Sequence, residues 1–231
     1  MLKSYGMKTL LNDLLSNIRN TNFDLLEAKV FWEEQKKQYQ QQGDEDNANF
    51  VWAILAIITI HHDYRSVHEK LQNAEYYEAW CEAEKVELTA KALNRHYPQL
   101  FETIVDIYRQ VLILQSLYPY KLFSSSEILI EEHKCSICGK VRNFRNPCGH
   151  KVGFLYNGEL CHNIVTKCQL VGIALVTDPV NKYAVAFAQD TNGKRIEYDY
   201  SPIAFLMKRW NNPYQFWNYQ IKEKKIIFYK T

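Results

Sequence analysis

Apolar positions recur at three- and four-residue spacing from the N-terminal region to Leu117, and that period predicts a succession of amphipathic helices. Leu10, Leu11, Leu14, Leu15 and Ile18 form the first stripe, interrupted at Asn20-Thr21-Asn22. Asp24 opens a second helix carrying Leu25, Leu26, Val30, Phe31 and Trp32, which runs to Gly43. A third, over about 48–71, is the most apolar and is expected at the centre of the bundle. A fourth spans about 76–96, with Pro98 just past its end as a stop. A fifth covers about 99–117. Five such helices with short connections predict a helical bundle.

Beyond Pro119 the period changes. Glu127 to His133 reads as a short strand. Asn157-Gly158 stands between two strand-like runs and predicts a tight hairpin, because a type I′ turn needs positive φ at both turn positions. Such a hairpin pairs Tyr156 with Glu159 and Phe154 with Cys161. Further strands are expected over 171–176, 183–188, 195–200 and 226–229. Ser201-Pro202 supplies the cap and first residue of a helix reaching about Trp210.

Four of the six cysteines lie between Cys135 and Cys161, in the string Cys135-x2-Cys138, then Cys148-x-His150, then Cys161. A Cys-x2-Cys knuckle delivers two thiolates to one ion from a single turn, and zinc takes four such ligands tetrahedrally. Cys135, Cys138, His150 and Cys161 make one ligand set, and Cys148 in place of His150 makes the other. His162, the neighbour of Cys161 in a strand, points to the opposite face, and Cys168 is expected to pack internally. Three or four sulfur-rich ligands leave no open position, so the expected Zn2+ is a single structural ion. The fold class expected is therefore α+β: a helical bundle over residues 1–122, then a small antiparallel sheet domain over 123–231 clamped by a structural zinc site.

The knuckle and hairpin over 133–168 resemble zinc ribbons and treble-clef-like modules, and the string Cys-x2-Cys…Cys-x-His-x2-Gly-x2-Tyr-x-Gly-x2-Cys resembles segments of bacterial and phage proteins of unassigned function. The resemblance implies a zinc-binding fold. Cys161 departs from the second Cys-x2-Cys of an ordinary zinc ribbon, which leaves the subtype open.

The formal charge of +2 hides a division: residues 1–132 sum to −7 and residues 133–231 to +9. Two partners fit the basic half. One is nucleic acid, met by Lys140, Arg142, Arg145 and Lys151 around Phe144 and Phe154, and by Lys208, Arg209, Lys222, Lys224 and Lys225 near Trp210, Tyr214 and Trp217. The other is protein, the basic and acidic halves docking on each other while aromatic residues anchor a partner. A non-catalytic adaptor acting through protein–protein contacts is the expected function, with nucleic-acid binding and a zinc-fold nuclease or other hydrolase as alternatives. No phosphate loop, dinucleotide fingerprint or Ser-His-Asp order occurs. His61, His62, Asp63, Arg65 and His68 lack a His-Glu-x-x-His pattern and read as the polar end of a core helix. The longest apolar run, Phe50 to Ile60, falls short of the ~20 residues of a membrane span. No membrane insertion is expected, and clustered cysteines without a secretory signal suggest a reducing, cytoplasmic setting.

Overall fold

The computed structural model describes residues 2–143, 145, 147–189, 191–194 and 196–215. Seven helices and two small antiparallel sheets build a mixed α and β architecture among these residues. The helices come first: α1 (Leu2–Asn17), α2 (Leu25–Gln42), α3 (Glu45–Gln72), α4 (Tyr76–His96), α5 (Pro98–Phe101) and α6 (Val105–Leu117). Asp24 caps α2 by accepting the backbone N–H groups of Leu26 and Glu27 at 2.9 Å.

α3 is central because it is apolar around most of its circumference. Val51, Ile54, Ile57, Ile58, Ile60, Tyr64 and Val67 are all buried, packed between α2 and α4. The single helix expected over 99–117 is divided. The Thr103 hydroxyl donates to the Leu100 carbonyl at 2.7 Å, and the chain turns before α6 starts at Val105. A Ser or Thr side chain that satisfies a nearby carbonyl competes with the helix in this way.

Two long strands follow, β1 (Phe123–Cys135) and β4 (Asn163–Val176), paired antiparallel from Phe123↔Val176 to Cys135↔Asn163 with three register shifts. Both exceed the strands expected over 127–133 and 171–176. Between them the hairpin of β2 (Leu155–Tyr156) and β3 (Glu159–Leu160) forms as expected, with Tyr156 opposite Glu159 and the Cys161 N–H donating to the Phe154 carbonyl at 2.8 Å.

The strand expected over 183–188 does not form. Its backbone instead runs beside the start of β1, the Ser124 N–H donating to the Ala184 carbonyl and the Ala186 N–H to that of Leu122. Residues 196–200 are likewise irregular, Arg195 and the strand expected over 226–229 lie outside the described residues, and the last helix, α7 (Ser201–Met207), stops short of Trp210.

The apolar core does not stop at residue 122. Phe123, Val185, Ile203 and Trp210 belong to the same cluster as the helical interior. Tyr76 stacks on Tyr200 at 4.2 Å, the Trp80 Nε1–H donates to the Lys182 carbonyl, and the Tyr77 hydroxyl donates to that of Tyr183. The chain after β4 thus folds back onto α3 and α4, and the abundance of tyrosine serves this seam, with Tyr118 and Tyr120 both buried. No helix among the described residues is long and apolar enough to cross a membrane.

Candidate metal centre

The knuckle forms because the chain doubles back immediately after β1. The Cys135 N–H donates to the Lys140 carbonyl at 2.9 Å, the Gly139 N–H to that of Cys135 at 2.8 Å, and the Arg142 N–H to that of His133 at 3.0 Å. The segment 147–150 then crosses this turn. Together they bring the sulfurs of Cys135, Cys138 and Cys148 and a ring nitrogen of His150 within 4.8 Å of one another, a group that can hold a metal ion.

The donors fit that role chemically. Zinc–sulfur bonds near 2.3 Å set a tetrahedral edge of about 3.8 Å between sulfurs, a little shorter than the observed spread. The His150 Nδ1 is buried without a hydrogen-bond partner, the condition of an atom whose lone pair is available to an ion. The Tyr156 ring packs edge-on to the imidazole at 4.7 Å, and its hydroxyl accepts the Lys151 N–H at 2.8 Å, bracing the loop.

Cys148 and His150 therefore both belong to the group, where the sequence offered them as alternatives. Cys161 is buried beside it, its Sγ 3.8 Å from that of Cys135, and is not one of the four donors that all lie within 4.8 Å of one another. His162 lies exposed, its Nδ1 3.2 Å from the Leu160 carbonyl. Cys168 does not pack internally; it is exposed on β4.

Arg142, a nucleic-acid candidate in the sequence, contacts the cysteine cluster instead of standing free. Its Nη2 donates to Cys135 Sγ at 3.2 Å, to Cys161 Sγ at 3.1 Å and to the His150 carbonyl at 3.0 Å, so it faces the sulfurs. Burial pushes the Cys135 thiol up, but the Arg142 guanidinium and the N–H groups of Cys138 and Ile137 outweigh it and bring the pKa down to about 5. Burial and the neighbouring Cys135 push Cys161 the other way. The Lys134–Val141 bridge and the Arg142 N–H to the His133 carbonyl fold this segment back beside β1, and neither contact has a sequence motif.

The remaining cationic candidates divide between two places. Lys140, Arg145 and Lys151 are exposed around the group, Lys151 lying over the Phe154 ring. Lys208 and Arg209 follow α7, whose neighbour Trp210 accepts a hydrogen bond from His68 Nε2 near the C-terminal end of α3. The hairpin sits at the opposite end, against Ala48 and Asn49, so about 30 Å of helix separates the two sets. Trp210 is 3% exposed and cannot stack on a base. Phe144, Trp217 and Lys222 to Lys225 lie outside the described residues.

The histidines of α3 hold the chain together. His61 Nδ1 meets the Tyr214 hydroxyl at 3.0 Å, and Arg65 donates to the carbonyls of Ile18, Asn20, Thr21 and Phe23 behind α1. An open cavity lined by Glu131, His133, Arg142, Pro147 and His150 borders the metal group, where Glu131 is already engaged by Lys167 and Gln169. Compared with known protein families, curated proteins and solved structures, the chain matches none.

Proposed function

We propose that the protein is a non-catalytic zinc-binding adaptor that works through protein–protein contacts. Cys135, Cys138, Cys148 and His150 would hold one Zn2+. The observation that carries the reading is that three sulfurs and one imidazole converge where the β1–β4 ribbon ends. Four protein donors saturate a tetrahedral ion and leave no position for a reacting water, which makes the metal architectural. Arg142 would offset the negative charge of three thiolates on one divalent ion. The adjoining cavity then meets ligands already committed to the metal, and the hydrolase alternative loses its activated water. Among the described residues, the nucleic-acid alternative draws near the metal group on Lys140, Arg145 and Lys151, with Arg142 turned inward and Lys208 and Arg209 at the far end of α3.

Elemental analysis tests the metal. One zinc per chain is expected, lost in Cys138→Ser and retained in Cys161→Ser; metal-free protein of native fold would overturn the reading. A titration against single- and double-stranded DNA and RNA at two salt concentrations tests the partner class. No salt-steep binding is expected, and micromolar binding that falls with salt would return the function to nucleic acid.

A further inference from the structure

Among the described residues, the β1–β4 ribbon stands clear of the helices along most of its length. Phe123 and Val176, paired at its base, pack into the core and mark the inward side. Alternation along β1 places Ser125, Glu127 and Leu129 on that side, and Ser124, Ser126, Ile128 and Ile130 on the other. The register sets Leu175, Ile173, Leu170 and Cys168 beside this second row. Val171, the extra residue of the first bulge, lies unpaired between Leu170, opposite Ile128, and Gly172, opposite Glu127.

The outward face is consequently a largely apolar strip, with Ser124 and Ser126 at its base. Ile128, Ile130, Leu170, Val171, Ile173 and Leu175 are 44 to 67% exposed, and no charged residue interrupts them. Together they present on the order of 600 Å² of apolar surface, the upper end of the roughly 300–600 Å² found in the largest patch of a typical monomer. β4 carries a single charge, Lys167, in its 14 residues. A two-stranded ribbon of this kind is at best marginally stable in water, and three or more strands with a covered face are needed for independent stability.

We infer that a second copy of this chain covers the strip, the two ribbons packing face to face about a two-fold axis. This rests on the adaptor reading and names one of its partners. Area and charge both favour a second copy. Two such faces bury about 1,200 Å² between them, the lower bound of a specific interface. A two-fold contact sets the patch against itself, and a strip without charge brings no like charges into opposition. Glu127, Glu131, Glu132 and Lys134 of β1 lie off the strip or beyond its end, where a partner ribbon does not bury them. An uncharged strip offers nothing to a phosphate backbone. Two ribbons stacked at about 10 Å make a four-stranded sandwich that neither chain supplies alone.

Sedimentation velocity on the zinc-loaded full chain across a concentration series tests the inference. The expected mass is twice the 27.3 kDa of one chain. Ile173→Lys is expected to halve that mass without changing zinc content or helical signal, and Leu129→Lys, on the inward side, is expected to leave the dimer intact. Should Ile173→Lys fail to fold, Leu175→Ser makes the same comparison. A wild type that is monomeric at every concentration overturns the second-copy assignment, as does a dimer that Ile173→Lys and Leu175→Ser leave untouched. A monomer that still holds one zinc leaves the adaptor reading standing, whereas protein without zinc overturns that reading whatever its mass.

Discussion

Gly158→Ala separates the docking of the hairpin from its formation. Gly158 lies at φ +76° in the Asn-Gly turn and is pressed against α3: its N–H donates to Asn49 Oδ1 at 2.6 Å, and a Cβ there would stand 2.9 Å from the Ala48 carbonyl oxygen and 3.1 Å from Lys36 Cγ and Cδ. Lys36 can move; the Ala48 carbonyl belongs to a helix and cannot. The substitution therefore costs about 1–2 kcal/mol for a non-glycine residue in the left-handed region, and about 1–3 kcal/mol more for the forced displacement. Gly43→Ala is the control, because Gly43 has φ +69° with nothing within 4 Å of an added Cβ, so only the first cost applies. At roughly 2–4 °C per kcal/mol for a chain of this size, Gly43→Ala should lower Tm by about 2–8 °C and Gly158→Ala by up to about 20 °C. Thermal melts at fixed zinc concentration make the comparison. Equal shifts for the two variants would refute the claim that the hairpin is seated on α3.

Lys182 sits between two buried carboxylates of α4, pairing with Glu87 and standing 3.6 Å from Glu84. Burial pushes the Glu84 carboxyl up against the pull of Lys182; burial acts on Glu87 too, but Lys182 and Lys91 hold it below its ordinary value. Lys182→Met should cost about 3–5 kcal/mol by leaving buried charge uncompensated. A urea midpoint at pH 7 within error of the wild type would refute this. His61 makes stability fall in acid. Burial, aided by Arg19 and Arg65, lowers its pKa from 6.5 to about 3, so the unfolded chain takes up the proton first as pH falls. The associated stability is complete above about 6.5 and is lost progressively down to about 3, with roughly 2 kcal/mol gone by pH 5. His61→Phe, which also gives up the Tyr214 contact, should flatten the change between pH 7 and pH 5 by that amount; an unchanged slope in urea titrations would refute the assignment.

What could be read from residue order follows from how local each signal is. α2 declares itself through Asp24, a three- and four-residue stripe and Gly43, all within a few turns of the element they define. The Asn157-Gly158 hairpin is equally local, and so is the Cys-x2-Cys knuckle. The ribbon is not. Ser124-Ser125-Ser126 resembles a boundary until Ile173 to Leu175 of β4 are known to lie against it, about 50 residues on. A still greater separation hides the reach of the core: Trp80 finds Lys182, and His68 finds Trp210, across more than 100 residues. Arg142 shows the limit most clearly. Its charge suggests a phosphate, and only the fold turns it toward Cys135 and Cys161.

The metal group and the ribbon make sense as one device. Cys135 ends β1 and pairs with Asn163, the first residue of β4, so the donors gather where the two strands would otherwise separate around residues 136–162. Closing a loop of that length is unfavourable, and the β2–β3 hairpin inside it is anchored to α2 and α3 and not to the end of the ribbon. An ion on Cys135, Cys138, Cys148 and His150 would fix one end of the ribbon, while Phe123 in the aromatic core fixes the other. A strand pair held at both ends can keep an apolar face in register for a partner without contacts along its middle. Removing the ion should therefore loosen the ribbon from the Cys135 end, with the helices and the returning chain from Lys182 to Tyr214 staying packed, because their contacts run through α3, α4 and Trp80 and not through the metal group.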